Sequence, residues 1–208
     1  MFSRDENLWH ISHEGGPLED PGYEPEESIF QWTVSAENAP DCPEMLEMEF
    51  NEGYPVAING KSLDSIQLLE SLNQKGSEHG IGRIDLVEDR LVGMKSRGLY
   101  ETPGGTLLMH AHRAIESVTL DKETMHRKEE IMHKYAKLIY NGYWYSKARF
   151  KLQKIVDLKR NKVNGTVKLK LYKGNITIVS RQTKSNAYSI KKVSFEENKT
   201  FNKSNVER

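Results

Sequence analysis

HGIGRIDLVEDRLVGMKSRGLYETPGGTLL, residues His79 to Leu108, packs charge, glycine and a lone tyrosine more densely than a plain packing element needs. From Arg83 to Glu88 the residues alternate, with Ile84 and Leu86 on one side and Arg83, Asp85 and Val87 on the other, the period of a half-buried strand. Glu88 falls where that strand should end, and a strand end is where a rigid scaffold can hold a polar group toward a ligand. A carboxylate there suits a cation. Arg90, Lys95 and Arg97 follow, then Tyr100, then Pro103-Gly104-Gly105, which opens a helix by placing proline in its first turn. The N-terminus of that helix could hold an anion. The purely structural alternative is that Glu88 pairs with a neighbouring arginine and Tyr100 buries its ring with a satisfied hydroxyl.

Working outward, Met45 to Phe50 alternates Leu46, Met48 and Phe50 with Glu47 and Glu49, turns at Asn51-Glu52-Gly53 and returns through Val56 to Ile58, a hairpin with one wet face. Ser62 is placed to cap a helix carrying Leu63, Ile66, Leu69 and Leu72, with Gly76 or Gly80 to end it. After Gly105 a helix buries Leu107, Leu108, Ala111 and Ile115. His110 and His112 lie two apart, so they face different ways and make a poor metal pair. Asp121 should cap a longer helix with a stripe of Met125, Met132, Tyr135, Leu138 and Ile139, stopped at Asn141-Gly142, the stripe reading as core or subunit interface. The aromatic run Tyr143-Trp144-Tyr145 reads as packing between consecutive helices, and Ser146 caps the next helix. Gly165 to Val179 is the clearest hairpin, turning at Lys173-Gly174-Asn175.

The first segment, Ser3 to Asp20, reads as a loop or extended stretch held down mainly by Trp9. His10-x-x-His13 has no second ligand pair at a suitable spacing, so no metal site is expected. Glu19 to Pro43 reads as a surface excursion around one apolar knot of Ile29, Phe30, Trp32 and Val34.

A chain of 208 residues with 37% hydrophobic content can build one or two cored domains. No run approaches the roughly 18 apolar residues of a bilayer span, and MFSRDENLWH lacks the apolar core of a signal peptide, so a soluble, cytoplasmic protein with no membrane partner is expected. The single Cys42 cannot form an internal disulfide. Net charge is zero but unevenly spread: residues 1–52 hold 14 acidic residues against one arginine, and residues 122–208 hold 22 basic against 7 acidic. Mutual neutralisation, within the chain or between subunits, is the simpler reading. A basic surface for nucleic acid is the sharper one, and it is disfavoured because the basic residues are spread over helices and a hairpin.

Three segments, ENLWHISHEGGPLEDP (Glu6 to Pro21), GIGRIDLVEDRLVGMKSRGLYETPGG (Gly80 to Gly105) and GTVKLKLYKGN (Gly165 to Asn175), together resemble argininosuccinate synthase, the citrulline–aspartate ligase, in order and spacing. The likeness runs from Ser3 to about Tyr188. It implies the synthetase domain of that enzyme over residues 1–188, followed by a polar C-terminal tail at 189–208. It also implies that Ser3, Ser12, Glu88 and Tyr100 stand at citrulline-binding positions, with Glu88 meeting the amino group and no side chain acting as general acid, base or nucleophile. The family consumes ATP with Mg2+, takes L-citrulline and L-aspartate, and forms a homotetramer. No phosphate-cradling G-x-x-x-x-G-K-S/T, G-x-G-x-x-G or serine-glycine-rich run is present. The chain is therefore expected to be a piece of such an enzyme lacking its nucleotide-binding domain and its oligomerisation helix, inactive alone. The alternative is a non-catalytic oligomerisation or basic nucleic-acid-binding module. The expected fold class is α+β, helices on a largely antiparallel sheet built from the hairpins at 45–58 and 165–180 plus the strand near residue 85.

Overall fold

Two hairpins supply most of one sheet. β3 (Glu44–Asn51) and β4 (Tyr54–Ile58) are joined by Glu52-Gly53, both with positive φ (49° and 79°), the turn geometry that matches strand twist. β8 (Gly165–Tyr172) and β9 (Asn175–Gln182) turn through Lys173-Gly174 in the same way. With the short β5 (Lys61–Ser62) the order is β5-β4-β3-β8-β9, antiparallel throughout. The computed structural model describes residues 2–184, so the tail expected at 189–208 lies outside the described residues.

Alternation decides the faces of this sheet. Leu46, Met48 and Phe50 of β3 join Val167, Leu169 and Leu171 of β8 on the buried side, against Leu68 and Leu72 of α1 (Ser65–Glu78) and Leu107, Ala111 and Ile115 of α2 (Pro103–Thr119). The opposite face is wet, and there Lys168 pairs with Glu47 at 3.5 Å. Lys173 pairs with Asp41 at 2.6 Å, so acidic residues early in the chain do neutralise basic ones late in it.

α1 departs from expectation in its cap and in its buried seam. Asp64 is its cap, accepting from the backbone N–H of Ile66 and Gln67, while Ser62 belongs to β5. The buried seam is Leu68, Leu72 and Gly76, an i, i+4, i+8 line, and Ile66 faces solvent. Gly80 ends the helix, with φ 67° just past the His79 cap, and Gly76 does not. A Cβ there would stand 2.7 Å from Pro103 Cβ and 2.9 Å from its carbonyl carbon, so this glycine is where α1 touches the start of α2.

The strand near residue 85 is not part of that sheet. β6 (Arg83–Asp89) and β7 (Lys95–Glu101) rise as a hairpin from between α1 and α2 and join β1 (Ser3–Glu6) and β2 (Ile11–Glu14) in a second antiparallel sheet, ordered β1-β2-β7-β6. The expected α+β class holds, with the antiparallel strands divided between two sheets because β7 is paired on both edges within its own. The segment Ser3 to Asp20 is thus held by strand pairing more than by Trp9, which is 41% exposed and rests its ring beside Gly105. The apolar knot of the 19–43 excursion forms around Ile29, Leu18 and Leu99, with Phe30 against it, and leaves Val34 exposed.

α3 (Lys122–Tyr140) and α4 (Lys147–Val156) are capped by Asp121 and Ser146 as expected. Met125 packs against the main core, but the rest of the α3 stripe does not join it, and the aromatic run is not buried between the helices. Only Thr124 of α3 is fully buried, Met132 and Ile139 are exposed, and Tyr143, Trp144 and Tyr145 face outward. The two helices meet along a narrow seam in which the Tyr135 hydroxyl donates to Gln153 and Arg149 lies over the rings of Trp144 and Phe150, at 4.7 and 4.0 Å. Arginine fills the place that the aromatic run was expected to take.

Gly76→Ala should lower stability by about 1–3 kcal/mol through overpacking against Pro103, although alanine is the better helix former by about 1 kcal/mol. Urea unfolding followed by circular dichroism measures this, and an unchanged or raised midpoint would refute the close α1–α2 contact.

Candidate functional site

The second sheet has two faces of different chemistry, fixed by register. Asp5, Ser12, Tyr100 and Ile84 lie in one row across it, and Ser3, Glu14, Gly98 and Leu86 in the next alternate row; Ser96 and Glu88 pair one step further. Cross-strand partners project to the same side, so all of these belong to one face, here the front. The four residues singled out by the resemblance, Ser3, Ser12, Glu88 and Tyr100, therefore share it, although they span most of the first hundred residues.

On the front face the Tyr100 hydroxyl donates to Glu88 Oε1 at 2.7 Å. Burial, then the bond to Glu88, pushes the Tyr100 phenol well above its ordinary pKa, so it remains a donor at any physiological pH. Arg90 pairs with Glu14 and donates to Ser96 Oγ at 2.9 Å. Glu88 is thus partnered by the tyrosine, and the nearby arginine is taken up by Glu14, unlike the expected structural pairing of Glu88 with arginine. The His10 ring stands edge-on to Tyr100, centroids 5.9 Å apart. Ser12 is nearly buried, and neither its hydroxyl nor that of Ser3 has a side-chain partner among the described residues. Ile84 also lines a cleft of about 620 Å3 with Trp9, Met109, His110, Arg113 and Arg181.

The back face is held by polar contacts. Glu101, fully buried, accepts from the backbone N–H of Gln31, Trp32 and Thr33 at 2.8, 2.9 and 2.8 Å, from Thr33 Oγ1 at 2.8 Å and from His13 Nε2 at 2.9 Å. Arg4 donates to His13 Nδ1, so Nε2 carries the proton offered to Glu101. Arg83 grips Glu27 with both terminal nitrogens at 2.7 Å and lies 3.8 Å over the Phe30 ring. Arg97 pairs with Asp85 and donates to the carbonyls of Asp20 and Tyr23. His13 accordingly has a structural partner, and no metal-type cluster of His, Cys, Asp or Glu occurs among the described residues.

The start of α2 is not open to an anion. Pro103, Gly104 and Gly105 are buried, and the Gly104 N–H donates to Asn73 Oδ1 at 3.0 Å. Sequence reading also passed over Glu14 and Ser96. Counting by twos from Ser12 and from Tyr100 would have put both on the front face.

The family model for the arginosuccinate synthase C-terminal domain matches residues 2–207. The chain belongs to the argininosuccinate synthase family. An argininosuccinate synthase of Pelagibacter ubique (strain HTCC1062) is 70% identical over 207 residues, which is 100% of this chain and 52% of that protein. Those of Nitratiruptor sp. and Rhodospirillum centenum are 53% and 54% identical over 206 residues, 99% of this chain and 51% of each of theirs. The chain spans about half the length of the curated relatives it matches. In this argininosuccinate synthase domain the sheet carrying the front face is made entirely by residues 3–101.

Burial works against ionisation of Glu101, but the hydrogen bonds from Gln31, His13 and Thr33 outweigh it and hold its pKa below the ordinary carboxylate value. The resulting stabilisation is complete above the unfolded pKa, about 4.3, and is lost as pH falls through the lower folded one. Glu101→Gln should cost about 3 kcal/mol at neutral pH and flatten the loss of stability below pH 4, read from thermal unfolding across pH. Equal acid sensitivity of the two proteins would refute this.

Proposed function

We propose that the front face of the four-stranded sheet holds the amino-acid end of L-citrulline, as part of an argininosuccinate synthase that joins citrulline to L-aspartate at the expense of ATP. The observation that carries this is the Tyr100–Glu88 couple. One carboxylate oxygen of Glu88 is occupied by the phenol and the other is left for a cation. The phenol oxygen, with its hydrogen directed at Glu88, still has a lone pair that can accept from the same cation. Two acceptors converging from adjacent strands suit an ammonium group. Engagement of Arg90 by Glu14 and Ser96 keeps a competing internal cation off Glu88. The free hydroxyls of Ser12 and Ser3 supply neutral donors and acceptors on the same face.

In this reaction the ureido oxygen of citrulline is adenylated with release of pyrophosphate, and the aspartate amine then displaces AMP. The described residues contribute binding and orientation. ATP, its Mg2+ and most aspartate contacts belong to a nucleotide site outside them, since no phosphate-cradling sequence is present in the chain. A homo-oligomer is part of the same reading, and the exposed apolar and aromatic surface of α3 and α4 supports it.

The chain joined behind the N-terminal portion of the Pelagibacter ubique relative gives an enzyme in which this can be measured. Glu88→Gln and Tyr100→Phe should each raise the KM for citrulline about tenfold or more, the loss of one charge-assisted hydrogen bond, and leave the KM for aspartate within about twofold. Citrulline kinetics unaltered by both substitutions would overturn the proposal.

A further inference from the structure

Gly98 lies in the middle of β7, buried, between Glu14 of β2 and Leu86 of β6. Nothing in its backbone calls for glycine, since it is not among the residues with positive φ. A strand interior is weakened by glycine, which gives up both packing and chain entropy. Alternation also points its missing side chain at the front face, midway between Tyr100 and Glu88.

What occupies that space is the tyrosine. A Cβ on Gly98 would stand 2.9 Å from Tyr100 Cε2, 3.1 Å from its hydroxyl oxygen and 3.2 Å from Cζ. The register explains why. Glu88 pairs with Ser96, four residues along β7 from Tyr100, a separation of about 13 Å at the usual strand rise. Neither side chain covers that alone. They meet over the intervening row, whose β7 member is Gly98 and whose β2 member, Glu14, is drawn aside to Arg90.

We propose that Gly98 is a positioning residue of the substrate site: the space left by its absent side chain lets the Tyr100 phenol lie along β7 and reach Glu88. Any larger residue lifts the ring off the strand. Lifting it breaks the couple and puts the phenol into the volume above the sheet where a ligand's ammonium would sit. The geometric part stands on the contacts alone, and its consequence for substrate rests on the citrulline reading.

The test uses this chain with Gly98→Ala, Tyr100→Ala and the double variant. Gly98→Ala should lower the urea midpoint when the ring is present. In the Tyr100→Ala background its effect should vanish or reverse, because alanine is otherwise the better strand residue. Tyrosine Cζ NMR across pH then reads the couple directly. Of nine tyrosines, Tyr100 should titrate far above the rest in the parent chain and return toward about 10 in Gly98→Ala. Equal destabilisation with and without the ring, or a Tyr100 titration unmoved by Gly98→Ala, would overturn the inference. In the fused enzyme, Gly98→Ala should raise the citrulline KM about tenfold with the aspartate KM held. A shifted titration with an unmoved citrulline KM would uphold the geometry and overturn the citrulline reading.

Discussion

A single buried carboxylate fixes where the chain can run behind the four-stranded sheet. Removing a carboxylate from water costs several kcal/mol, and Glu101 meets that cost with five hydrogen bonds, three of them from consecutive backbone N–H groups. Charge-assisted bonds contribute about 1.5–3 kcal/mol each, so the arrangement is favourable only when Gln31, Trp32 and Thr33 all turn inward together. The loop is thereby placed without a large apolar core beneath it. Arg83 and Arg97, on the same side of the hairpin, fasten the remainder through Glu27 and the carbonyl groups of Asp20 and Tyr23, with Asp85 of the hairpin itself orienting Arg97.

This polar backing sets what the front can be. Leu18, Ile29 and Leu99 form a small buried cluster, too small to hold the sheet by apolar burial alone. With the reverse side locked by directional bonds, the front is free to present groups whose hydrogen bonds are incomplete. Ser12 and Glu88 keep capacity for a ligand because the strands carrying them are already held from behind. Edge position matters too. β6 has a neighbour on one side only, which leaves Glu88 at a rim accessible to solvent.

The hairpins at 45–58 and 165–180, the α2 seam and the caps at Asp121 and Ser146 were legible in the sequence because each depends on neighbours a few positions away. The failures share one cause. Ser62 lost the cap to Asp64 because it was drawn into β5, and Gly76 is a contact with Pro103, not a stop. β7 is not legible as a strand, since Lys95 to Glu101 has no apolar stripe of its own and is held by pairing with β2 and β6. The front-face set Ser3, Ser12, Glu88 and Tyr100 could be named from family likeness, but its shared face depends on a β2–β7 register that no local period encodes. The role of Gly98 is equally invisible to periodicity, because it depends on the Tyr100 ring folding back along the strand.

The distance along the chain between the two halves of this site has a consequence for how the domain acquires it. β6 and β7 can zip together as a hairpin early, whereas β2 meets β7 only after a segment of 88 residues has closed between His13 and Glu101. Closing so long a loop carries an entropic cost that short hairpins escape. The proposed binding face therefore forms later than either local hairpin, and a nascent chain with β7 still inside the ribosome lacks it altogether.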